Sequence, residues 1–139
     1  MLKKAVVIAG LLCGLFIDPS QAQQARAKGP SVTGHIQGYE CMGLRAGPPD
    51  ETWDDLPRVL AQPQNGAPEI GIATDSVIVK LPHVLRNGYL EVMHMDGRPG
   101  WLPAKVLEPW INKNAPGVRC QPAMMSNGRP GFDYIRSNR

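Results

Sequence analysis

The chain has 139 residues, of which 15 are glycine, 14 are proline and 42% are hydrophobic. This composition favours a small, turn-rich fold of one domain with extensions, and the length excludes a large multidomain enzyme. A formal charge of +3 at pH 7 is too small to indicate the concentrated basic face of a nucleic-acid-binding protein, so no nucleic-acid partner is expected.

The first segment predicts an exported protein. Two lysines precede an uncharged apolar run over residues 5–17, which is short for a transmembrane span and typical of a signal-peptide core. Small residues favour cleavage after Ala22, with cleavage after Ala27 as the second choice. We therefore expect a periplasmic or secreted protein without stable membrane insertion after cleavage of residues 1–22. A permanently inserted anchor is the alternative.

The next segments are predicted to lie outside the main domain. Residues 23–34 lack apolar periodicity and are predicted to be a flexible leader. An N-terminal extension over residues 35–57 follows, with a first short strand at residues 35–41. Further along it, a turn of helix over residues 51–56 is predicted to be capped by Asp50.

From Arg58 onward the chain alternates short apolar runs with turn residues. Asp96-Gly97 between two alternating runs predicts a β-hairpin with a type I′ turn, and residues 81–88 are predicted to be a loop ending in the turn Asn87-Gly88. The short runs and the lack of a long amphipathic segment predict an all-β fold, a small closed or nearly closed barrel over residues 58–107. No internal repeat is evident. The predicted strands are centred on residues 59–61, 70–72, 77–79, 89–94 and 98–102.

Two cysteines flank this domain. Of the three cysteines in the chain, Cys13 is removed with the signal peptide, which leaves Cys41 and Cys120 in a compartment that permits oxidation. A disulfide between them is the simplest use of both, and it would join the N-terminal extension to a C-terminal extension and tail over residues 108–139. The alternative is a reactive thiol with a histidine partner, although no flanking motif accompanies either cysteine.

A series of short motifs in the predicted barrel follows a known order. Pro63 and Ile70-Gly71 precede a β-branched strand and a Gly-aromatic strand at residues 88–92, and Gly97-Arg98-Pro99-Gly100-Trp101-Leu102 closes the series. From about Arg58 to Leu107 the chain resembles the bacterial SH3-like domains of exported envelope proteins. The resemblance implies an SH3-like barrel that binds a cell-wall peptide or an envelope protein. In proline-binding SH3 domains an Asn-Tyr pair follows the closing motif, whereas Ala104-Lys105-Val106 follows it here, which argues against recognition of proline-rich peptides.

Four residues are the candidate ligand contacts. Tyr89 is predicted to lie on the outer face, opposite Leu90 and Val92, and the loop before it carries His83 and Arg86. Trp101 is a further candidate, although a packing role in the hairpin is favoured. Trp53 and Trp110 are expected to form a small satellite cluster that covers the barrel.

No motif for catalysis, metal binding or a cofactor is found in the sequence, so we expect a non-catalytic protein with no metal and no cofactor. The basic C-terminal tail could bind an anionic wall polymer or a membrane surface, but a solvated end is the favoured interpretation. Two other functions remain open. One is an assembly accessory of the envelope that contacts its partner through the extensions, and the other, which is disfavoured, is an enzyme that uses Cys41 or Cys120 as a nucleophile.

Overall fold

The computed structural model describes residues 29–137, which form eleven β-strands and two short 3₁₀ turns. The predicted all-β class is confirmed. The predicted signal peptide and the first half of the predicted leader, residues 23–28, lie outside these residues. Within the described part of the chain, no helix is long and apolar enough to cross a membrane. The strands are β1 (Val32–His35), β2 (Tyr39–Leu44), β3 (Arg58–Leu60), β4 (Glu69–Ile72), β5 (Ser76–Lys80), β6 (Leu85–Arg86), β7 (Tyr89–Met93), β8 (Pro99–Pro103), β9 (Leu107–Pro109), β10 (Val118–Met125) and β11 (Pro130–Arg136). The 3₁₀ turns are Trp53–Asp55 and Ala104–Val106.

The larger of two antiparallel sheets has eight strands in the order β4-β3-β8-β7-β5-β2-β9, with β6 paired to one end of β7. The buried residues of its inner face lie on or next to strands along the whole sheet and form a single cluster, so the sheet must curl around them. Between residues 29 and 137 the end strands β4 and β9 are not hydrogen-bonded to each other, so the hydrogen-bonded ring of a closed barrel is not seen. The cluster comprises Val59, Ala73, Val77, Val79, Leu90, Val92, Leu102 and Leu107.

The smaller sheet, in the order β1-β10-β11, covers part of the outer face of the larger one. Ile78 lies between Val77 and Val79 and therefore points away from the core cluster, yet it is fully buried. Its cross-strand neighbour Cys41 is bonded to Cys120 on β10, which confirms the predicted disulfide. The molecule is thus a curled sheet with a second layer fastened to its outer face.

The N-terminal segments differ from their predictions. The strand β1 begins at Val32, inside the predicted leader, and the single strand predicted over residues 35–41 is two strands separated by a turn. Gly38 has a φ of 79°, which reverses the chain there, so that β1 and β2 pair in different sheets. Because β2 lies between β5 and β9, residues 39–44 belong to the larger sheet and not to an extension.

The helical turn predicted over residues 51–56 is shorter and is capped by a different residue. It is the 3₁₀ turn Trp53–Asp55, and Thr52 precedes it in place of Asp50. The backbone N–H of Thr52 and its hydroxyl group both donate to Asp55 Oδ2, each over 2.8 Å. These two hydrogen bonds lower the pKa of Asp55, because they stabilise its ionised form.

The predicted solvated tail is an ordered hairpin. Its two strands, β10 and β11, pair from Val118 opposite Arg136 to Met124 opposite Pro130. These strands were not predicted because each contains a proline, Pro122 in β10 and Pro130 in β11, and proline disfavours a strand assignment. Pro122 is nevertheless fully buried, and its carbonyl accepts a hydrogen bond from the N–H of Ile36 over 2.9 Å.

The predicted hairpin between β7 and β8 is confirmed, but its turn differs. Gly97 has a φ of 88°, and among the non-glycine residues described only Asn87 has a positive φ, so Asp96-Gly97 is not a type I′ turn. The N–H of Gly97 donates to His94 O and the N–H of His94 donates to Arg98 O, which closes a three-residue loop with glycine in the left-handed position. A type I′ turn occurs instead at Asn87-Gly88, where φ is 50° and 82°.

The β10–β11 hairpin closes in the same way. The N–H of Gly128 donates to Met125 O, the N–H of Met125 donates to Arg129 O, and Gly128 has a φ of 77°. The sequences of the two loops also match, because the run Asp-Gly-Arg-Pro-Gly-Trp at residues 96–101 recurs as Asn-Gly-Arg-Pro-Gly-Phe at residues 127–132. This is an internal repeat that the sequence analysis missed.

Candidate functional site

Three of the four predicted ligand residues lie on one face of the larger sheet. Arg86 on β6 pairs with Tyr89 on β7, and Glu91 on β7 pairs with Trp101 on β8. Residues opposite each other in an antiparallel pair share a face, as do alternate residues along a strand. Arg86, Tyr89, Glu91 and Trp101 are therefore all on the outer face, and the predicted orientation of Tyr89 is confirmed by the burial of Leu90 and Val92 on the opposite side.

The Arg86 side chain lies over the indole ring of Trp101. The guanidinium carbon is 5.8 Å from the ring centroid, within the range of a cation–π interaction. Trp101 is half-buried, so it both packs on the sheet and supports the cation above it. None of the ion pairs within residues 29–137 includes Arg86.

The nearest acidic neighbour along this face already has a partner. Glu91 accepts hydrogen bonds from Lys80 Nζ, at 3.3 Å to Oε1 and 3.5 Å to Oε2. Lys80 lies on β5, on the other side of β7 from Trp101. The charge of Glu91 is thus balanced by Lys80, and no carboxylate of residues 29–137 is paired with the guanidinium of Arg86.

His83 does not join this set. Its Nε2 makes a short hydrogen bond with Glu40 on β2, which is separated from β7 by β5 in the sheet. The predicted loop that carries it is also more ordered than expected, because Leu85 and Arg86 form the strand β6 and pair back onto β7. The loop thus delivers Arg86 to the outer face and holds His83 away from it.

A shallow groove runs beside Tyr89, at the end of the β6–β7 turn. Asn87 closes one end of it by donating from Nδ2 to the carbonyl of Pro63 over 3.0 Å. Leu85 is 62% exposed at its edge, and Lys105 is the one charged residue in its lining. Neither Leu85 nor Lys105 was among the predicted ligand contacts. The position of Lys105 three residues after the end of the closing motif was the signal available for it. The lining is Asn65, Leu85, Asn87, Gly88, Tyr89, Pro103, Ala104 and Lys105.

The other two tryptophans, Trp53 and Trp110, do not contact each other. Trp110 stacks on Tyr134 at a centroid distance of 5.6 Å, Tyr134 lies 6.3 Å from Phe132, and Trp110 Nε1 donates to Ser76 Oγ over 2.9 Å. Trp110 therefore lies in an aromatic cluster between the two sheets, so the predicted satellite cluster is confirmed for Trp110 but not for Trp53. Trp53 is 63% exposed and pairs with no aromatic ring in the described part of the chain.

A second group of charged residues closes the β7–β8 turn. The carboxylate of Asp96 accepts from the backbone N–H of Arg98 over 2.9 Å, contacts His94 Nδ1 at 2.9 Å and accepts from Arg98 Nε over 2.6 Å. These contacts, the Arg98 backbone N–H first, hold the pKa of Asp96 far below its usual range. The His94 ring lies directly against Gly71, where a Cβ would collide with Nε2. We interpret this group as structural, because its contacts stabilise the turn between β7 and β8.

The described residues offer neither a free thiol nor a cluster of metal-ligating side chains. Both sulfurs of Cys41 and Cys120 are in the disulfide, so neither is a free thiolate in this structure. Between residues 29 and 137, no group of three or more His, Cys, Asp or Glu side chains is arranged to hold a metal ion. Comparisons with protein families, with curated proteins and with solved structures find no match to this chain.

Proposed function

We propose that this protein is an exported, non-catalytic binding module that holds an extended peptide of the cell wall or of an envelope protein. The binding surface is the outer face formed by Arg86, Tyr89 and Trp101, together with the adjoining groove. The observation that carries the proposal is the Arg86–Trp101 pair on the outer face, next to Tyr89, which also lines the groove together with the exposed Leu85. Flat aromatic side chains next to an open apolar edge are the features that extended peptides use for docking.

The disulfide supports the exported part of the proposal. Disulfides form and persist mainly outside the reducing cytoplasm, and Cys41–Cys120 ties together residues that are 79 positions apart in the sequence. It also fastens the second layer on the side of Cys41 and Ile78, whereas Arg86 and Trp101 lie toward the β6 end of the same outer face.

The test is retention on purified cell-wall material. The double variant Tyr89→Ala, Trp101→Ala is expected to lose most of the retention shown by the wild type. Trp53→Ala is the control, because Trp53 is a large exposed aromatic residue that neither lines the groove nor contacts Arg86. Near-identical circular dichroism spectra would show that the double variant is folded. Equal retention of the wild type and the double variant would show that the binding site is not on this face.

A second function is supported by a different surface. Ile111 is 69% exposed and Tyr134 is 53% exposed beside the Trp110 stack, which would suit an assembly accessory that contacts its partner through the C-terminal region. Deleting residues 121–139 would remove β11 and most of β10, so point variants are the better test. Loss of a co-purifying envelope protein on Ile111→Ser with Tyr134→Ser, and not on Tyr89→Ala with Trp101→Ala, would favour this function.

A further inference from the structure

We infer that the ligand of the groove is an extended peptide that carries carboxylates, and that Arg86 and Lys105 recognise them. This inference rests on the proposed function, which it narrows to one chemical class of ligand. It follows from the charges that border the surface, from the partners those charges have, and from the apolar lining between them.

The charged residues that remain available on this surface are cations. Arg86 lies over Trp101 on the outer face, and Lys105 lines the groove below Tyr89. Neither takes part in an ion pair within residues 29–137. The two acidic residues of the same face near Trp101 are each paired with a cation. Glu91 is paired with Lys80 at 3.3 Å. Glu69, whose cross-strand neighbour Leu60 lies opposite Trp101, is paired with Arg58 at 3.9 Å. A carboxylate arriving from solvent would therefore meet two unneutralised positive charges.

Lys105 also borders a neighbouring cleft whose lining includes three acidic residues, Glu51, Asp55 and Asp75, and one other cation, Arg45. The Lys105 ammonium group makes no ion pair with any of these three acidic residues at 4.0 Å or less. It therefore stands between an acidic cleft and an apolar groove. A ligand that extended past Lys105 into that cleft would be repelled if it were acidic there, so the carboxylate that Lys105 recognises must approach it from the groove.

The guanidinium is well suited to this task. Stacking on an indole restrains Arg86 and leaves the edge of its planar group, with its N–H donors, open to a carboxylate. Tyr89 links the two cations, because it pairs with Arg86 across the strands and lines the groove with Lys105. Within the groove, the exposed Leu85 adds apolar surface for a side chain of the ligand. An extended peptide with an apolar centre and acidic flanks matches this order of groups.

The experiment compares three blocked hexapeptides, acetyl-X-X-Leu-Pro-X-X-amide, in which X is glutamate, glutamine or lysine throughout. Calorimetric titration at low salt is expected to give the tightest binding for the glutamate peptide and the weakest for the lysine peptide. Each exposed charge pair contributes about a two- to fivefold change in affinity, and the preference should shrink as salt screens it. In the variant Arg86→Gln, Lys105→Gln the preference for glutamate over glutamine should disappear.

The matched control is Lys113→Gln, Arg119→Gln, which removes the same net charge from two exposed residues outside the groove. It should keep the preference for the glutamate peptide. Equal binding of the glutamate and glutamine peptides to the wild type would overturn the inference and leave the proposed function standing. A preference that survives in the Arg86, Lys105 variant would overturn the assignment to these residues. Failure of all three peptides to bind would overturn both the inference and the groove as a peptide site.

Discussion

Cys41 on β2 and Cys120 on β10 are joined by a disulfide with their Cα atoms 5.9 Å apart, and Cys41 lies directly opposite the fully buried Ile78. The bond therefore enters the layer between the two sheets at one of its most buried points. Around it, Pro122 is also fully buried, and Trp110 stacks on Tyr134. The small sheet is thus held by one covalent link and by a modest apolar contact.

Removal of this link should destabilise the fold. The variant Cys41→Ala, Cys120→Ala is expected to lose about 4 kcal/mol in the free energy of unfolding, because the cross-link closes a long loop in the unfolded chain. Urea unfolding followed by tryptophan fluorescence measures this loss. Wild type in dithiothreitol should unfold at a similarly lowered urea concentration, while the variant should not respond to the reductant. An unchanged midpoint in the variant would show that the sheets hold together without the bond.

The two matching hairpin loops should respond alike to the same substitution. Gly97 and Gly128 have φ values of 88° and 77°, where a side chain is strained, so Gly97→Ala and Gly128→Ala should each lower the free energy of unfolding by about 1–2 kcal/mol. Gly117→Ala is the control, because that residue has open space around it and no positive φ. Thermal or urea unfolding of the three variants measures the effects. A neutral result at Gly128 alone would mean that the two loops are not equivalent.

The parts of this fold that could be predicted from the sequence are those that depend on neighbours in the chain. Alternation placed Leu90 and Val92 in the core and Tyr89 outside it, and turn residues located the β7–β8 hairpin. The type I′ turn predicted at Asp96-Gly97 was wrong, because Asp-Gly also fits a three-residue loop in which only the glycine needs a positive φ. The recurrence of Gly-Arg-Pro-Gly after Asp96 and after Asn127 could have been found by comparing the chain with itself.

The parts that could not be predicted depend on contacts between distant residues. Nothing local to Val32 or Pro122 shows that β1 and β10 would pair, since their pairing is set by the layer in which both lie. The candidate site was predicted in part. Tyr89 and Trp101 were accessible through alternation, but the contact of Arg86 with Trp101 requires β6 to fold back on β7. The pairing of His83 with Glu40 is likewise a contact across 43 positions of sequence.

Asp96 predicts a pH dependence of stability. Its folded-state pKa is far below that of the unfolded chain, so its ionised form stabilises the fold at pH values above about 4, and this contribution is lost as the pH falls below that value. The difference in melting temperature between wild type and Asp96→Asn should therefore be largest near pH 7 and should narrow by pH 3. Asp50→Asn is the control, because Asp50 is exposed and its carboxylate makes no hydrogen bond or ion pair among residues 29–137. A difference in melting temperature between wild type and Asp96→Asn that stays constant from pH 7 to pH 3 would contradict the prediction.

The last prediction concerns the contact on which the site depends. If Arg86 is held over Trp101 in solution, then Arg86→Gln and Trp101→Leu should not act independently on the free energy of unfolding. Each single variant loses the interaction, and the double variant loses it only once, so we expect a coupling of about 0.5–1 kcal/mol for this exposed pair. Urea unfolding of the wild type, both single variants and the double variant measures it.

The pair Arg119→Gln, Trp101→Leu provides the matching control. Arg119 is an exposed cation on β10, in the smaller sheet, and it does not contact the indole, so its coupling to Trp101 should be close to zero. Additive effects of the Arg86 and Trp101 substitutions would show that the guanidinium is not restrained on the ring. Peptide binding would then have to order Arg86 at a cost in side-chain entropy, and the glutamate preference should be correspondingly weaker. A measurable coupling would instead mean that Arg86 is already positioned before the ligand arrives, so the affinity gained from each carboxylate is not offset by that ordering.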